Sequence, residues 1–169
     1  MKDETCATDQ RLTLRLASKD DCLLLWELAN DPSVRLQSLS MDPIPWESHV
    51  KWFNEKIDDI NTVIVIGEDG EKRAIGVRRF EIQNDKSVRS SIIIKSEFRS
   101  KGYGTELIRV SNDYLFKNYD VQVHNAYIKP NNISSLKAFE KLGYVNQGTI
   151  EIDGHRVVHL TFSKDQTKS

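Results

Sequence analysis

The 169-residue sequence has few cysteines, no long apolar run and almost no net charge. Its two cysteines, Cys6 and Cys22, make neither a disulfide framework nor a metal-ligand cluster, and its four histidines form no metal-ligand pattern. The longest apolar run, Val63 to Ile66, is far too short to cross a bilayer, and the first ten residues lack the apolar core of a secretion signal. A net charge of -1 with scattered basic residues leaves no basic stripe for nucleic acid. These absences predict a cytoplasmic protein with no metal, no membrane contact and no nucleic-acid partner.

Length and composition are those of one globular domain. The sequence is 38% hydrophobic and 29% charged, which is ordinary for a folded protein. A chain of this length buries roughly 70% of its unfolded surface on folding. We expect a flexible N-terminal tail over residues 1–10, a single domain over residues 11–163 and a polar C-terminal tail over residues 164–169.

Hydrophobic periodicity predicts a series of strands and helices. Alternating apolar residues predict strands over residues 11–16, 62–66, 73–82, 87–94, 121–128, 145–152 and 155–162. Helical spacing predicts helices over residues 19–29, 34–36, 46–57, 104–118 and 132–142. This order mixes antiparallel hairpins with crossover helices. The predicted fold class is α+β, with a mixed, mostly antiparallel central sheet of about seven strands and helices on both faces.

A glycine-containing loop joins the strand over residues 87–94 to the following helix: Arg99-Ser100-Lys101-Gly102-Tyr103-Gly104. A helix N-terminus carries unpaired N–H groups and a partial positive charge, which together favour an anion. Gly102 and Gly104 allow close backbone approach, and Arg99 and Lys101 add charge. A glycine pair alone fits a simple turn equally well. The spacing matches neither the P-loop nor the dinucleotide fingerprint, which argues against kinase-like and NAD-binding functions.

Two motifs in the same order make the chain resemble the GNAT superfamily of acyl-CoA-dependent N-acyltransferases. Arg99, Gly102 and Gly104 match the pattern Arg/Gln-x-x-Gly-x-Gly/Ala. The second pattern, Asn-x-x-Ser-x-x-x-Tyr/Phe-x-Lys-x-Gly-Phe, is similar to the set Asn132, Ser135, Phe139, Lys141, Gly143 and Tyr144. The resemblance covers residues 11–162 and implies the GNAT fold, with acetyl-CoA as the acyl donor.

The same resemblance implies a set of cofactor-binding residues. Backbone groups of the strand would pair with pantetheine, the loop would hold the pyrophosphate, and the later helix would contact the CoA arm. The implied residues are Ile92, Ile93, Ile94, Arg99, Ser100, Lys101, Gly102, Tyr103, Gly104, Thr105, Asn132, Ser135, Phe139 and Lys141. A backbone N–H near Ile92 would polarise the thioester carbonyl, an interaction worth about 3 kcal/mol in acyl transfer.

Position 139 departs from the family pattern. Many members have there a tyrosine that protonates the departing thiolate, whereas Phe139 cannot donate a proton. Ser90 and Ser91 stand on the strand where a carboxylate base could have stood. The sequence therefore names no catalytic acid or base. It favours an acceptor amine of low pKa, such as an α-amine or a sugar amine, over a lysine side chain.

The front half of the chain resembles amino-sugar N-acetyltransferases that act on nucleotide-linked sugars, above all on the 4-amino group in pseudaminic acid biosynthesis. The residues that carry this likeness are Trp26, Asn30-Asp31-Pro32, Val34-Arg35, Ser38, Ile44, His49, Trp52-Phe53 and Gly76 to Phe80. The implied small-molecule acceptor is a nucleotide sugar. Its predicted contacts are Trp46, His49, Trp52 and Arg78.

Several alternatives stay open at this level. Trp46, His49 and Trp52 also fit a helix that packs its rings into the core. Only one of Arg78 and Arg79 can face a nucleotide diphosphate, because neighbours on a strand point to opposite faces. The acceptor could instead be a protein N-terminal α-amine, including that of a ribosomal protein, or the chain could be a non-catalytic acyl-CoA sensor. The sequence is compatible with a homodimer but does not require one.

Overall fold

The computed structural model of the protein describes residues 11–168, so the tail predicted over residues 1–10 lies outside the described residues. The strands are β1 (Thr13–Leu16), β2 (Thr62–Glu68), β3 (Ala74–Ile82), β4 (Ser87–Ile94), β5 (Val123–Ile128), β6 (Val145–Ile152) and β7 (His155–Ser163). The α-helices are α1 (Cys22–Asn30), α2 (Pro32–Gln37), α3 (Trp46–Ile57), α4 (Tyr103–Asn118) and α5 (Ile133–Lys141). Short 3₁₀ helices lie at Lys19–Asp21, Ser96–Phe98 and Lys164–Lys168.

The seven strands form one sheet in the order β1-β2-β3-β4-β5-β7-β6. Strands β1 to β4 form an antiparallel meander, and β5, β7 and β6 form a second antiparallel group. The two groups meet at the parallel pair β4 and β5, which α4 connects. The predicted α+β class, with a mixed and mostly antiparallel sheet of seven strands, is confirmed.

Helices cover both faces of this sheet, as predicted. On one face α1 and α3 pack against β2 and β3 through Leu25, Leu28, Phe53, Ile64, Ile66 and Val77. On the other face α4 and α5 pack through a larger cluster that includes Phe80, Val88, Ile108, Leu115, Phe139 and Leu160. The sheet is therefore the middle of three layers, and its central strands are buried on both faces.

Local signals set the ends of several elements. The Asp31 side chain accepts a hydrogen bond from the Ser33 backbone N–H and so caps α2, which begins with Pro32. Gly143, at φ 89°, follows the end of α5 in the left-handed conformation expected of a C-terminal glycine. Asp153 and Gly154 have φ of 49° and 76°, as the predicted β6–β7 hairpin turn requires.

The first strand and the segment after Ser163 each show one local feature. Leu16 is 53% exposed because β1 is an edge strand that pairs with β2 alone. The polar segment after Ser163 forms the 3₁₀ helix Lys164–Lys168. The Gln166 amide donates to the Gly143 carbonyl (2.9 Å) and accepts from Ser163 N–H (2.8 Å), which holds this helix against the domain.

The parallel junction at the centre of the sheet is short. Strands β4 and β5 pair only from Ser87 opposite Val123 to Arg89 opposite Asn125. Beyond Arg89 the two strands diverge, and no further pairing between them occurs in the described residues. The rest of β4, residues 90–94, therefore has backbone polar groups on its β5 side that are free to bind another chain or an extended ligand.

An ion-pair cluster beside the first 3₁₀ helix makes stability depend on pH. Arg15 donates two hydrogen bonds of 2.8 Å to Asp21, which also accepts from Ser18 N–H at 2.7 Å. The Arg15 hydrogen bonds hold the pKa of Asp21 below its ordinary value. The Asp21 carboxylate therefore stabilises the fold fully above the unfolded pKa of about 3.9, and it loses that effect as the pH falls through its lower folded pKa.

We expect D21N to lower the free energy of unfolding by about 2 kcal/mol at neutral pH and by much less near pH 3. Urea unfolding at both pH values measures this. The neighbouring D20N, at an exposed position, is the control, and a pH-independent loss would contradict the assignment.

Candidate active site

A cavity of about 1150 Å³ lies where β4 and β5 diverge. Both helix layers contribute to its wall, and residues 90–94 of β4 run through its centre. The side formed by the α4 N-terminus and α5 is called here the donor half. The side formed by α1, α2, α3 and the adjoining face of β3 and β4 is called the acceptor half.

The first turn of α4 forms one end of the donor half. Gly102, at φ 84°, precedes the helix, and Gly104 and Thr105 line the cavity within its first turn. A Cβ built on Gly104 would lie 3.7 Å from Ile94 Cγ1, so the space in front of this turn is open to an atom of that size. The first N–H groups of a helix have no partner within it, and the helix dipole is positive there. The turn is therefore shaped and charged to hold a phosphate group.

The donor half fits coenzyme A at two further places. The unpaired β5 side of β4 suits the two amides of pantetheine, since an extended chain pairs with an open strand edge. Across the cavity from the α4 turn, Asn132, Ser135 and Lys141 line the wall that α5 provides. Bound acetyl-CoA would supply an activated acetyl group there.

Twelve of the residues predicted to bind the cofactor line this cavity, and two do not. The lining residues are Ile92, Ile93, Ile94, Arg99, Ser100, Gly102, Gly104, Thr105, Asn132, Ser135, Phe139 and Lys141. Lys101 and Tyr103 point elsewhere: the Lys101 ammonium donates to the Glu97 carbonyl at 2.8 Å, and the Tyr103 ring packs edge-on against Phe98. A contact of these two residues with the pyrophosphate would therefore come from the backbone of the loop and not from their side chains.

Arg99 links the donor loop to the acceptor half. Its Nε donates to the Ile94 carbonyl at 2.9 Å, and its Nη1 donates to Ser33 Oγ at 2.5 Å. Its Nη2 also lies 3.6 Å from the Asp31 carboxylate. One guanidinium thus fixes the loop before α4 to the corner between α1 and α2.

Two predicted donor-half residues have clear structural duties as well. The Asn132 carboxamide oxygen accepts from Ser135 N–H at 3.3 Å and caps α5. Phe139 is 3% exposed and packs edge-on against the Tyr144 ring, with ring centroids 4.8 Å apart. Phe139 therefore gives the cavity an apolar surface at this point. It has no hydroxyl group with which to protonate a departing thiolate.

His49 and Trp52 line the acceptor half of the cavity, whereas Trp46 does not. The His49 ring stacks against Phe53 and Trp46, and its Nε2–H donates to the Cys22 carbonyl at 2.8 Å. Burial lowers the pKa of His49, so the ring is neutral at pH 7 and Nδ1 carries the basic lone pair. Trp46 is 39% exposed on the outer side of α3 and packs against Trp26, so its predicted role in acceptor contact is corrected.

The register of β3 assigns the two neighbouring arginines to opposite faces. Arg78 is opposite Ile92 and is fully buried beneath α4, so it cannot contact an acceptor, contrary to the prediction. Arg79 is opposite Ser91 and lines the acceptor half, with its guanidinium 5.1 Å from the centroid of the Trp52 ring. Of the two neighbouring arginines, Arg79 is therefore the one that lines the acceptor half.

The cavity wall is strongly basic. Its basic side chains are Arg35, Arg79, Arg89, Arg99, Lys129, Lys137 and Lys141, and Glu81 is the acidic side chain that the described residues contribute. Glu81 lies 3.5 Å from Arg79 and 3.8 Å from Lys56, so its charge is balanced. Arg89, which sequence reasoning missed, lies over the Tyr127 ring at 5.2 Å. The wall therefore attracts anions.

Several residues that carry the front-half likeness, namely Trp26, Asn30, Arg35, Ser38 and Ile44, build the wall of the acceptor half. The Trp26 indole N–H donates to the Ile44 carbonyl at 2.8 Å, and the Asn30 carboxamide accepts from Ile44 N–H at 2.7 Å. Arg35 donates to the Ala29 carbonyl and to Ser38 Oγ. These bonds fix the loop between α2 and α3 across the cavity mouth.

Sequence reasoning also missed a buried polar cluster beneath the cavity. His124 on β5 is fully buried and lies between Ser90 of β4 and the Tyr144 hydroxyl. The signal was present in β5, where His124 alternates with outward residues and shares the buried side with Ala126 and Ile128. A histidine at a core position of a strand is uncommon enough to be singled out.

Among residues 11–168 no group of three or more His, Cys, Asp or Glu side chains is placed to hold a metal ion. None of the helices in that part of the chain combines the length and the apolarity needed to cross a bilayer.

Comparison with solved structures finds the same fold in enzymes crystallised with CoA. Spermidine N-acetyltransferase from Vibrio cholerae, in complex with CoA and spermine, superposes with a TM-score of 0.84 at 23% identity, covering 94% of this chain and 99% of that one. The aminoglycoside acetyltransferase AAC(6')-Ib, in complex with ribostamycin and coenzyme A, gives a TM-score of 0.80 at 16% identity, with coverage of 93% and 96%. The predicted GNAT fold is confirmed.

Sequence comparison gives two relatives and a family. MJ1062, an uncharacterized protein of Methanocaldococcus jannaschii, is 25% identical over 138 residues, which are 80% of this chain but 28% of that protein's length. YwnH of Bacillus subtilis, a candidate phosphinothricin acetyltransferase, is 28% identical over 153 residues, or 86% of this chain and 93% of YwnH. The family model described as an acetyltransferase (GNAT) domain matches residues 11–145. The chain therefore belongs to the GNAT acetyltransferase family and is an acyl-CoA-dependent N-acetyltransferase that uses acetyl-CoA.

Proposed function

We propose that this enzyme acetylates the primary amine of an anionic small molecule, namely the 4-amino group of a nucleotide-linked amino-deoxy sugar, in the cytoplasm. The observation that carries the proposal is the pair of arginines in the acceptor half. Arg79 lies beside Trp52, and Arg89 lies beside Tyr127. An arginine next to an aromatic ring offers a nucleotide both a charged fork for its diphosphate and a flat surface for its base or sugar.

The charge of the wall separates this acceptor from the cationic amines that the structural neighbours bind. Spermine and ribostamycin are polycations at neutral pH, and a site for them needs carboxylates. The acceptor half here has Arg79 and Arg89, and its Glu81 is already paired. A negatively charged acceptor gains from this wall, whereas a polyamine would be repelled.

The chemistry of the acceptor amine also fits the groups present. The nucleophile must be a neutral amine that attacks the acetyl group directly, and an amine of pKa near 8 reaches that state at pH 7 far more readily than a lysine. Neutral His49, with Nε2 held by the Cys22 carbonyl, keeps the Nδ1 lone pair to accept a hydrogen bond or a proton from the amine. A weak base of this kind suffices for an amine of low pKa.

A panel of acceptors tests the proposal. The enzyme is incubated with acetyl-CoA and, separately, a UDP-linked 4-amino-4,6-dideoxy sugar, spermine, and a peptide with a free α-amine, and the release of CoA thiol is followed. We expect release with the nucleotide sugar. Activity only on peptide α-amines would contradict the proposal and would indicate a protein N-terminal acetyltransferase. Binding of acetyl-CoA without thiol release from any amine would indicate the sensor function.

R79Q sharpens that test. We expect the KM for the nucleotide sugar to rise about 10- to 100-fold, because Gln removes a charge-assisted contact worth about 1.5–3 kcal/mol. The KM for acetyl-CoA should not change, since Arg79 lies in the acceptor half. R156Q, an equivalent change at an exposed position on β7, is the matched control. An equal rise in KM for the nucleotide sugar and for the peptide with a free α-amine, which has no diphosphate, would contradict a role of Arg79 in diphosphate binding.

A further inference from the structure

The core beneath the cavity contains a row of hydrogen-bonded polar side chains, which we call the buried relay: Ser90, His124, Tyr144 and Asn112. His124 is 0% exposed, and Tyr144 and Asn112 are each 5% exposed. Ser90 alone among the four lines the cavity. The relay therefore runs from the cavity wall into the core between β4, β5 and α4.

One assignment of hydrogens connects the four side chains of the relay in a single direction. The Asn112 amide N–H donates to the Tyr144 hydroxyl at 2.8 Å, so the phenol hydrogen is free to donate to His124 Nδ1. A neutral imidazole that accepts at Nδ1 carries its own hydrogen on Nε2. His124 Nε2–H then donates to Ser90 Oγ, 2.5 Å away.

Arg78 completes the surroundings of Ser90. Its Nη2 donates to Ser90 Oγ at 3.1 Å and lies within hydrogen-bond distance of His124 Nε2, at 3.2 Å, a contact that is a hydrogen bond only when Nε2 carries no hydrogen. In the Nε2–H form, Arg78 and His124 both donate to Ser90 Oγ. A serine hydroxyl has two lone pairs and one hydrogen. When His124 carries its hydrogen on Nε2, both lone pairs of Ser90 Oγ are occupied by Arg78 and His124, and the Ser90 hydrogen can donate into the cavity that Ser90 lines.

The charge around the relay is unbalanced. Arg78 is fully buried, its Nε has no hydrogen-bond partner, and it forms no ion pair with any carboxylate of the described chain. The titratable and charged groups that face the relay are Arg78 of β3, His124 of β5 and Tyr144, while α4 presents Ser111 and Asn112 and α5 presents Phe139. A buried cation without an anion is costly, and it would be matched by a negative charge formed on the relay.

We propose that Ser90 is the proton donor to the departing CoA thiolate and that the buried relay resupplies its proton. The inference rests on acetyl transfer itself and not on which amine is the acceptor. It also accounts for Phe139, since the phenol that a tyrosine at that position would offer is here provided by Tyr144 at a distance.

The proton transfers balance as follows. Ser90 gives its hydroxyl proton to the sulfur as the carbon–sulfur bond breaks, and it takes the Nε2 proton of His124. His124 takes the phenol proton at Nδ1, and the negative charge ends on the Tyr144 oxygen, where Arg78 and Asn112 oppose the rise in the phenol pKa that burial causes. The proton that the amine nitrogen loses on becoming an amide passes, directly or through His49 Nδ1, to water in the open cavity. It returns through Ser90 in the reverse direction and restores the phenol.

The first test reads the relay in the free protein. The ¹⁵N chemical shifts of His124 report which ring nitrogen carries the proton, and we expect the neutral Nε2–H form in the wild type. Y144F removes the donor to Nδ1, so we expect a shift toward the Nδ1–H form. A wild-type ring with its proton on Nδ1 would overturn the proposal. This measurement needs no acceptor, so it determines the direction of the hydrogen bonds in the relay even if the nucleotide sugar is not a substrate.

The second test uses turnover of acetyl-CoA with the UDP-linked 4-amino-4,6-dideoxy sugar. S90A and Y144F should each lower kcat about 10- to 100-fold and leave the Kd of acetyl-CoA unchanged. The S90A/Y144F double variant should be no slower than the slower single variant, because residues that act in one proton path do not contribute additively. S90T, which keeps the hydroxyl on a strand, should restore kcat.

Matched variants separate the relay from a structural effect. Y119F, at a half-buried tyrosine beyond the end of α4, should leave kcat unchanged. Circular dichroism melting shows whether S90A and Y144F remain folded. Wild-type kcat in folded Y144F, or losses that multiply in the double variant, would show that Ser90 acts alone and would overturn the relay.

Discussion

Replacing Gly104 with valine should lower the affinity for acetyl-CoA at least about 100-fold while leaving the domain as stable as before. Gly104 lies in the first turn of α4 and lines the donor half. A side chain there would occupy the space in front of the helix N–H groups and exclude the pyrophosphate. Two lost charge-assisted hydrogen bonds, at about 1.5–3 kcal/mol each, account for a loss of this size.

The stability of the G104V variant follows from its conformation. Gly104 is not among the residues of positive φ, and a Cβ on it would meet Ile94 Cγ1 only at an ordinary contact distance of 3.7 Å. Valine also has a somewhat better helix propensity than glycine. Gly102 is a poorer choice, because at φ 84° any side chain is strained regardless of the ligand.

Calorimetric titration with acetyl-CoA, together with thermal unfolding, measures both effects of G104V. G70V is the matched control, since a Cβ on Gly70 meets no atom within 4 Å and Gly70 also lacks a positive φ. It lies in the turn between β2 and β3, outside the donor half. Unchanged affinity in folded G104V would remove the pyrophosphate from this helix N-terminus.

The sequence predicted the strands and helices well where one face is exposed or where a turn residue marks an end. Gly143 and the Asp153-Gly154 turn are of this kind, because their positive φ restricts the residue type. Strand β4 was predicted with its observed bounds, 87–94. Periodicity and turn chemistry are local properties, so a local pattern is enough to find them.

Side-chain orientation on the central strands could not be predicted. Strand β3 is buried on both faces from Ile75 to Arg78, so its sequence does not alternate and gives no sign of which arginine faces the cavity. The register with β4 decides it, and that register depends on contacts between distant parts of the chain. Trp46 was misplaced for a similar reason: helical spacing groups it with Phe53, but only tertiary packing shows that α3 extends past the core at that end.

The buried relay lay beyond local reasoning altogether. Ser90, His124 and Tyr144 belong to three separate segments, and only the parallel junction of β4 and β5 and the return of the chain after α5 bring them together. The second family-like motif did include Tyr144, but as an aromatic residue following Gly143. The hydrogen bond between the Tyr144 hydroxyl and His124 is the basis for the proton transfer that we propose, and the motif does not specify it.

Arg78 offers the sharpest separation of stability from catalysis. R78M should leave the free energy of unfolding unchanged or raise it by up to about 2 kcal/mol, because replacing a buried charge with an apolar side chain of similar size is often neutral or stabilising. The same change should lower kcat about 100- to 1000-fold, since a negative charge on the relay would then form in a low-dielectric core without its counter-charge. Arg78 touches no substrate in this scheme, so it is a positioning residue.

Three measurements on R78M distinguish that role from a packing defect. Urea unfolding gives the stability, steady-state kinetics with acetyl-CoA and the nucleotide sugar give kcat and KM, and spectrophotometric titration follows ionisation of Tyr144. Arg78 opposes the rise in the pKa of Tyr144 that burial causes, so without the guanidinium the phenol should ionise only at higher pH. The KM for acetyl-CoA should stay constant.

R109M, at a surface arginine paired with Glu106, should change neither kcat nor the phenol titration. R78K, which keeps a charge, should recover part of the lost kcat. A large loss of stability with no change in the Tyr144 titration would instead make Arg78 a packing residue of the core.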